Sequence, residues 1–209
     1  MDVINILFSG VGGQGIILAG RLLAKCAFNA GHMVKESEVH GMAQRGGSVV
    51  SHVRFGKEVF SPLIPVGKAD FLVAMEELEG LRYTYFLKPR GRVVLNMRKV
   101  PPPHLNPSTP YPEDAVSRLN AMGFQVDELD ALAIAKNAGS PKVENIVLVG
   151  TLSHYLPFPM SVWEETIRES VPSRFIDMNL AAFQRGREIS SGDCHYLPTV
   201  GGLPRTKRS

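Results

Sequence analysis

The spacing of apolar and polar positions changes along the chain, and each change marks an element. Val3-Ile4-Asn5-Ile6-Leu7-Phe8 is a short β-rich run ending at Ser9-Gly10-Val11-Gly12-Gly13-Gln14-Gly15. Ile16, Ala19, Leu23 and Ala27 then recur at helical spacing, and Leu18, Leu22 and Cys26 widen the stripe. Asn29-Ala30-Gly31 predicts the helix end, with Gly31 as the left-handed cap. The opening is strand, glycine turn, helix.

His32 to Glu38 predicts a second strand. The next stretch, His40-Gly41-Met42-Ala43-Gln44-Arg45-Gly46-Gly47, is polar and glycine-rich and lacks apolar periodicity, so no crossover helix is expected there. Ser48 to Phe55 alternates with period two, and Gly56-Lys57 predicts a hairpin turn returning through Glu58-Val59-Phe60. Asp70 to Met75 is a near-continuous apolar run, as in strands buried on both faces of a parallel sheet. A helix is expected over Glu77 to Phe86, a strand over Gly91 to Asn96, and an extended excursion through Pro101-Pro102-Pro103, Pro107, Pro110 and Pro112. A helix over Glu113 to Met122 and a strand over Phe124 to Asp127 follow.

From Ala131 the pattern is helical, broken near Pro141, Pro157-Phe158-Pro159 and Pro172. Asn145 is the expected cap of a helix to Tyr155, and Ser161 with Glu164 the capping box of a helix to Ser170. Arg174 to Ile189 closes the body. The expected fold is α/β: one Rossmann-like domain, residues 1–189, with a largely parallel sheet, a β-hairpin insertion and a helical C-terminal third. Residues 190–209 lack periodicity and are expected to form a mobile basic tail.

Composition narrows the function. With 23 Lys+Arg against 20 Asp+Glu, 44% hydrophobic residues, 20 Gly and 15 Pro in 209 residues, the chain reads as a globular domain able to bury roughly 70% of its unfolded surface. Arg205, Lys207 and Arg208 against Asp193 give residues 190–209 a net +2, leaving 20 basic and 19 acidic residues in the body. The body therefore has no basic stripe for nucleic acid. The two cysteines, Cys26 and Cys194, are too few for an iron–sulfur cluster, which takes about four thiolates, and fit a reducing compartment. No basic leader precedes Val3 and no run of about 18 apolar residues occurs, so a cytoplasmic protein without membrane contact is expected.

Gly10-x-Gly12-x-x-Gly15 follows a strand and opens a helix, which suits a phosphate approaching backbone N–H groups at a helix start, or simply a tight turn. Ile16-Ile17 after it excludes a P-loop. Glu36 and Glu38 stand where a dinucleotide fold carries its ribose-binding carboxylate, but carboxylates near the end of a polar strand are more often simply solvated, and that is the expectation here. Arg45, flanked by glycines, presents either a bidentate donor or a corner into the next strand. Glu76, Glu77 and Glu79 are an acid group at a sheet edge or a charged first helical turn. No HExxH, close Cys/His cluster or GxSxG is present, so zinc and serine-hydrolase chemistry lack support.

Two stretches in this order and spacing, GVGGQGIILAGRLLA at residues 10–24 and ESEVHGMAQRGGSVVSHVRFG at residues 36–56, resemble the gamma-type domain of the 2-oxoacid:ferredoxin oxidoreductases. Within that family they resemble the small beta subunits of the indolepyruvate-type enzymes. ADFLVAMEELEGLRY (69–83) and RVVLN (92–96) extend the resemblance over residues 3–187.

The resemblance implies a subunit, inactive alone, of an enzyme that decarboxylates an arylpyruvate to an acyl-coenzyme A and passes electrons to ferredoxin. Thiamine diphosphate, Mg2+ and 4Fe–4S clusters would belong to a large alpha subunit, with coenzyme A as cosubstrate. No catalytic residue or metal ligand is assigned to this chain. Gly10, Gly12, Gly13, Gln14, Gly15, His40, Gln44, Arg45, Gly46, Gly47 and Ser48 would form the edge facing the partner or the coenzyme A phosphates. The competing readings are a free-standing dinucleotide-binding oxidoreductase and an interface scaffold without a ligand.

Overall fold

The computed structural model describes residues 3–40, 47–102 and 110–190, with His40 and Ser190 described by backbone alone. Six strands form one sheet: β1 (Ile4–Val11), β2 (Met33–His40), β3 (Ser48–Gly56), β4 (Ala69–Ala74), β5 (Leu87–Asn96) and β6 (Gln125–Leu129), in the order β2-β3-β1-β4-β5-β6. β1, β4, β5 and β6 are mutually parallel. β3 runs antiparallel to both its neighbours, β1 and β2. β2 is therefore parallel to β1 but one strand removed from it, and β3 is the sheet's single reversed member.

This placement corrects the expected hairpin. β3 already has β1 on one side and β2 on the other, so no edge is left for Glu58 to Phe60. The hairpin pair is β2–β3: the end of β2 and the start of β3 lie at the C-terminal end of the parallel strands, and residues 41–46 between them lie outside the described residues. Residues 57–68, interrupted by Pro62 and Pro65, instead run along the opposite rim of the sheet.

Alternation along β1 sorts the two layers. Ile6 and Phe8 face a large core shared with α1 (Ile16–Asn29) and α5 (Glu144–Ser153), with Trp163, Phe158 and Phe183 filling it. Leu7 faces the smaller core with Leu72, Val93 and Leu95, covered by α2 (Glu77–Arg82) and α3 (Ala115–Ala121). α4 (Ala131–Asn137), α6 (Met160–Ser170) and α7 (Ile176–Ser190) complete the first layer. The chain leaves β1 toward one face and β4 toward the other. That divergence opens a crevice at the C-terminal ends of β1 and β4, the place where open α/β sheets bind ligands.

α1 ends as expected, with Gly31 at φ +83° and the His32 N–H on the Ala27 carbonyl at 3.0 Å. Three expectations shift. α2 gives way at Tyr83 to a 3-10 turn, Thr84–Phe86, so the expected helix is split. Asn145 does not cap α5, because a 3-10 turn at Pro141–Val143 leads straight into that helix and places Asn145 inside it. Pro159, with its pre-set φ, is the residue before α6, and no side chain caps that helix. All ten residues of α5 are buried. α7 crosses it so tightly that a Cβ at Gly150 would lie 2.1 Å from the Phe183 carbonyl oxygen, and one at Gly186 2.0 Å from that of Val147. Residues 191–209, where the mobile tail was expected, lie outside the described residues.

Candidate functional site: the glycine turns at the sheet's C-terminal edge

β1 carries Gly10 and Val11 as its last residues, so Gly10 belongs to the strand and only Gly12 to Gly15 form the turn. The turn is held from inside. Gln14 folds back to accept the Val11 N–H on Oε1 at 2.7 Å, and its own N–H bonds the Val11 carbonyl at 3.2 Å. Gln14 thus closes the strand end, where the sequence suggested an outward polar contact. A Cβ on Gly10 would meet that Oε1 at 2.7 Å and Met75 Cβ at 2.8 Å. Gly15 sits at φ +78° just before α1, and Asn145 Nδ2 donates to its carbonyl at 3.2 Å.

The two glycine-bearing stretches meet. The Gly12 N–H donates to the Gly47 carbonyl at 3.0 Å, directly beyond the Val11–Ser48 pair, and so continues the β1–β3 ladder. Ser48 then turns beneath the edge. Its Oγ donates to Glu79 and lies 2.8 Å from the Tyr83 hydroxyl. Ser48's hydroxyl is thereby held from inside, by Glu79 and Tyr83. The backbone of His40 ends β2 at the same rim, while Gln44, Arg45 and Gly46 lie outside the described residues.

Under the crevice lies a polar layer that sequence reasoning largely missed. Asn96, at the end of β5, donates to the Met75 carbonyl at 3.0 Å and to Glu144 Oε1 at 2.6 Å, and accepts the Ala131 N–H at 3.1 Å. Arg98 pairs with the other oxygen of Glu144. Glu76 is the N-cap of α2, accepting the Glu79 N–H at 2.8 Å and the Leu78 N–H at 3.0 Å. Most of the expected proline-rich excursion, residues 103–109, lies outside the described residues; Tyr111 after it donates to Glu76, and burial and that bond raise its pKa. Glu79 is buried between Ser48 and Arg82. Burial pushes its carboxyl upward, Ser48 and Arg82 oppose, and Glu76 adds to the rise. Glu77 is likewise raised by burial, against the pull of Lys99. The acid group is thus a capped helix start welded to the sheet edge. The charged first helical turn expected from the sequence is the arrangement found, with Glu77 and Glu79 in the first turn behind the Glu76 cap.

Two clefts flank the glycine turn. One of about 610 Å³ lies toward α5, lined by Gly12, Gly13, Leu18, Arg98, Lys142 and Asn145 among others. The other, about 460 Å³, lies toward β3 and is lined by Ile17, Leu18 and Val49. Leu18 belongs to both and is 64% exposed, so it stands out of the stripe assigned to it by periodicity. Two of the turn's amides, Gly12 and Gln14, are already spent on internal carbonyls. A phosphate would therefore depend more on Lys142 of the larger cleft, where Glu144 already pairs with Arg98, than on a cradle of free N–H groups.

The ribose carboxylate of a dinucleotide fold is displaced here. Because β3 intervenes, β2 stands about 10 Å from β1 at ordinary strand spacing. Glu38 pairs with Arg21 at 3.2 Å. Glu36 is not a solvated strand carboxylate either: its Oε1 is buried without a hydrogen-bond partner beneath Gly20 of α1, and burial raises its pKa, with Glu38 adding and Arg21 opposing. Cys26 is buried, and burial pushes its thiol up to about 12, so it is inert as a metal ligand. Among the described residues no three His, Cys, Asp or Glu side chains converge on a metal position. No helix among them is long and apolar enough to cross a membrane.

The family model described as pyruvate ferredoxin/flavodoxin oxidoreductase matches residues 5–189. The chain is 44% identical over 206 residues to the indolepyruvate oxidoreductase subunit IorB of Archaeoglobus fulgidus, covering 96% of this chain and 98% of that one. It superposes on the gamma subunit of a keto/oxoacid ferredoxin oxidoreductase from Geobacter sulfurreducens with a TM-score of 0.71 at 27% identity, covering 90% of this chain and 99% of that one. A 2-oxoglutarate:ferredoxin oxidoreductase from Magnetococcus marinus, with 2-oxoglutarate, coenzyme A and succinyl-CoA bound, shares the fold at a TM-score of 0.72 and 20% identity. There 98% of this chain corresponds to 34% of a much longer one.

Proposed function

The chain belongs to the pyruvate ferredoxin/flavodoxin oxidoreductase family, and from that membership we propose that it is the small subunit of a 2-oxoacid:ferredoxin oxidoreductase acting on an arylpyruvate such as indolepyruvate. Full-length similarity to an indolepyruvate oxidoreductase subunit carries the choice of substrate class. The fold's occurrence as about a third of a longer chain supports a large alpha subunit as partner.

In the assembled enzyme a 2-oxoacid and coenzyme A become acyl-coenzyme A and CO2, and two electrons leave for ferredoxin. Thiamine diphosphate with Mg2+ and the 4Fe–4S clusters do not fit this chain's own donors. One cysteine is buried with a raised pKa, the other, Cys194, lies 168 positions away in sequence, and no metal-holding cluster occurs among the described residues. We place these cofactors in the alpha subunit.

What this chain contributes is an edge. The Gly12–Gly47 bond ties the glycine turn after β1 to the residue that opens β3, with Gly13 outermost and nothing within 4 Å of where its Cβ would be. That bare backbone allows another chain, or coenzyme A, to approach closely. Lys142, in no ion pair among the described residues, is the free cation we assign to coenzyme A phosphates in the adjoining cleft, where Arg98 is already paired with Glu144. His40, Gln44, Arg45 and Gly46 are the remaining contacts we assign to this edge.

Anaerobic isolation of the chain from its native cells tests the reading. Co-elution with a large subunit showing broad iron–sulfur absorbance, and indolepyruvate-dependent dye reduction only when both are present, is the expected result. A colourless chain without a partner that saturably binds NAD(P) overturns it. Arg45→Ala is expected to raise the KM for coenzyme A or impair assembly without unfolding the chain. Normal turnover and coenzyme A affinity would remove Arg45 from the edge.

A further inference from the structure

The rim opposite the glycine turns is apolar where a free-standing domain would be polar. Residues 57–68 present Phe60, Leu63 and Val66 at 87%, 51% and 65% exposure, beside Tyr85 at 52%. These side chains are not outward because the segment is loose. Val59 and Ile64 are buried as anchors. The Arg54 guanidinium holds the Ser61 and Leu63 carbonyls at 2.8 and 3.1 Å, the Ile64 N–H bonds His52 Nδ1 at 3.2 Å, and the Gly67 N–H bonds the Tyr85 carbonyl at 3.0 Å. A preordered apolar patch costs a partner little ordering entropy.

Its border is cationic. Lys57, Lys68, Lys88 and Arg90 are exposed around it, against one exposed carboxylate of the segment, Glu58. Lys88 is neutralised by Asp70, but among the described residues neither Lys68 nor Arg90 is in an ion pair. Arg90 is held at φ +61°, the only positive φ outside glycine among those residues. Asn or Gly fits that backbone more readily, so the strained position carries a long cation where packing does not ask for one.

We infer that this rim is a second docking surface, for an acidic and partly apolar face of the large subunit. The inference rests on the reading of the chain as a subunit. A second copy is disfavoured because a two-fold axis through the patch would oppose like charges, and the chain's own tail because it is itself basic, with Arg205, Lys207 and Arg208. An anionic membrane would ask for typically four to eight free cations, whereas Lys88 here is paired with Asp70 and Lys57 adjoins the exposed Glu58, leaving Lys68 and Arg90.

The test is anaerobic titration of the wild-type chain, Phe60→Asp and the double variant Lys68→Glu/Arg90→Glu against the purified large subunit at low and high salt. Phe60→Asp is expected to weaken binding by about tenfold or more, and the double variant by about tenfold at low salt with a flattened salt dependence. Unchanged melting curves identify both as surface effects. If the wild-type chain fails to bind the large subunit, the subunit reading itself falls. If it binds and both variants bind as well as it does, only this surface is overturned. Two further outcomes also overturn it: mass doubling of the isolated chain abolished by Phe60→Asp assigns the patch to a second copy, and sedimentation with phosphatidylserine vesicles abolished by the double variant assigns it to a membrane.

Discussion

Asn145 grips Gly15: its Nδ2 donates to the Gly15 carbonyl at 3.2 Å and fills the space a Gly15 Cβ would need, 2.8 Å away. The first turn of α5 thereby fixes where α1 begins. Gly15→Ala combines that collision with a left-handed backbone and is expected to cost about 2–3 kcal/mol of stability. Urea unfolding at constant m checks it, and a loss below about 0.5 kcal/mol would show that the turn is free to shift.

Asn96 predicts a second sensitive point. Its buried amide serves the Met75 carbonyl, Glu144 and the Ala131 N–H at once. Asn96→Leu keeps the volume but strands those partners, and the expected loss is about 2–4 kcal/mol by the cost of leaving buried polar groups unpaired. Calorimetry of the variant should show a lower Tm with the fold retained by circular dichroism.

The α5–α7 crossing predicts that a single methyl is harmful. At Gly150 the added Cβ would meet backbone, which cannot rotate away. Gly150→Ala is expected to force the helices apart and cost about 3 kcal/mol, a Tm loss of roughly 10 °C for a domain of this size. An unchanged melting temperature would contradict the crossing.

His52 makes stability depend on pH. Its Nδ1 accepts the Ile64 N–H, so the folded state needs the neutral ring, and burial, then Arg54, lowers its pKa below the ordinary value of about 6.5. The unfolded chain binds the proton more readily, so this contribution is present above pH 6.5 and is lost as pH falls from there through the folded value. Glu79 acts oppositely: with its folded pKa raised, its share is complete below the ordinary carboxyl value and fades as pH rises through the folded value. His52→Asn, which can keep an acceptor near the Nδ1 position, is expected to flatten the urea midpoint between pH 7.5 and 5.5. A slope equal to that of the wild-type chain would place its origin elsewhere.

Periodicity exposed the parallel strands and α1 because those segments bury continuous or 3.6-spaced apolar faces. It failed at Leu18, which fits the stripe by spacing yet stands at the mouth of two clefts. It also misplaced the return of β3, since local turn chemistry at Gly56-Lys57 says nothing of β2 already occupying that edge. The glycine spacing located the turn. The polar layer beneath it, from Asn96 through Glu144 to Arg98, joins residues brought together only by the sheet and the entry to α5. Long-range partners of that kind leave no spacing to read.

The Gly12–Gly47 bond is the last rung of the β1–β3 ladder, and it makes the sheet a gauge for the exposed edge. Adding one residue within β3 would slide the second glycine turn by about 3.3 Å past the first and exchange the strand's two faces. Insertions in the β2–β3 turn itself would leave the rung intact. Length variation among natural versions of this chain is therefore expected to collect in the turn and spare residues 48–56, and alignments of close relatives would reveal that asymmetry as a gap-free block.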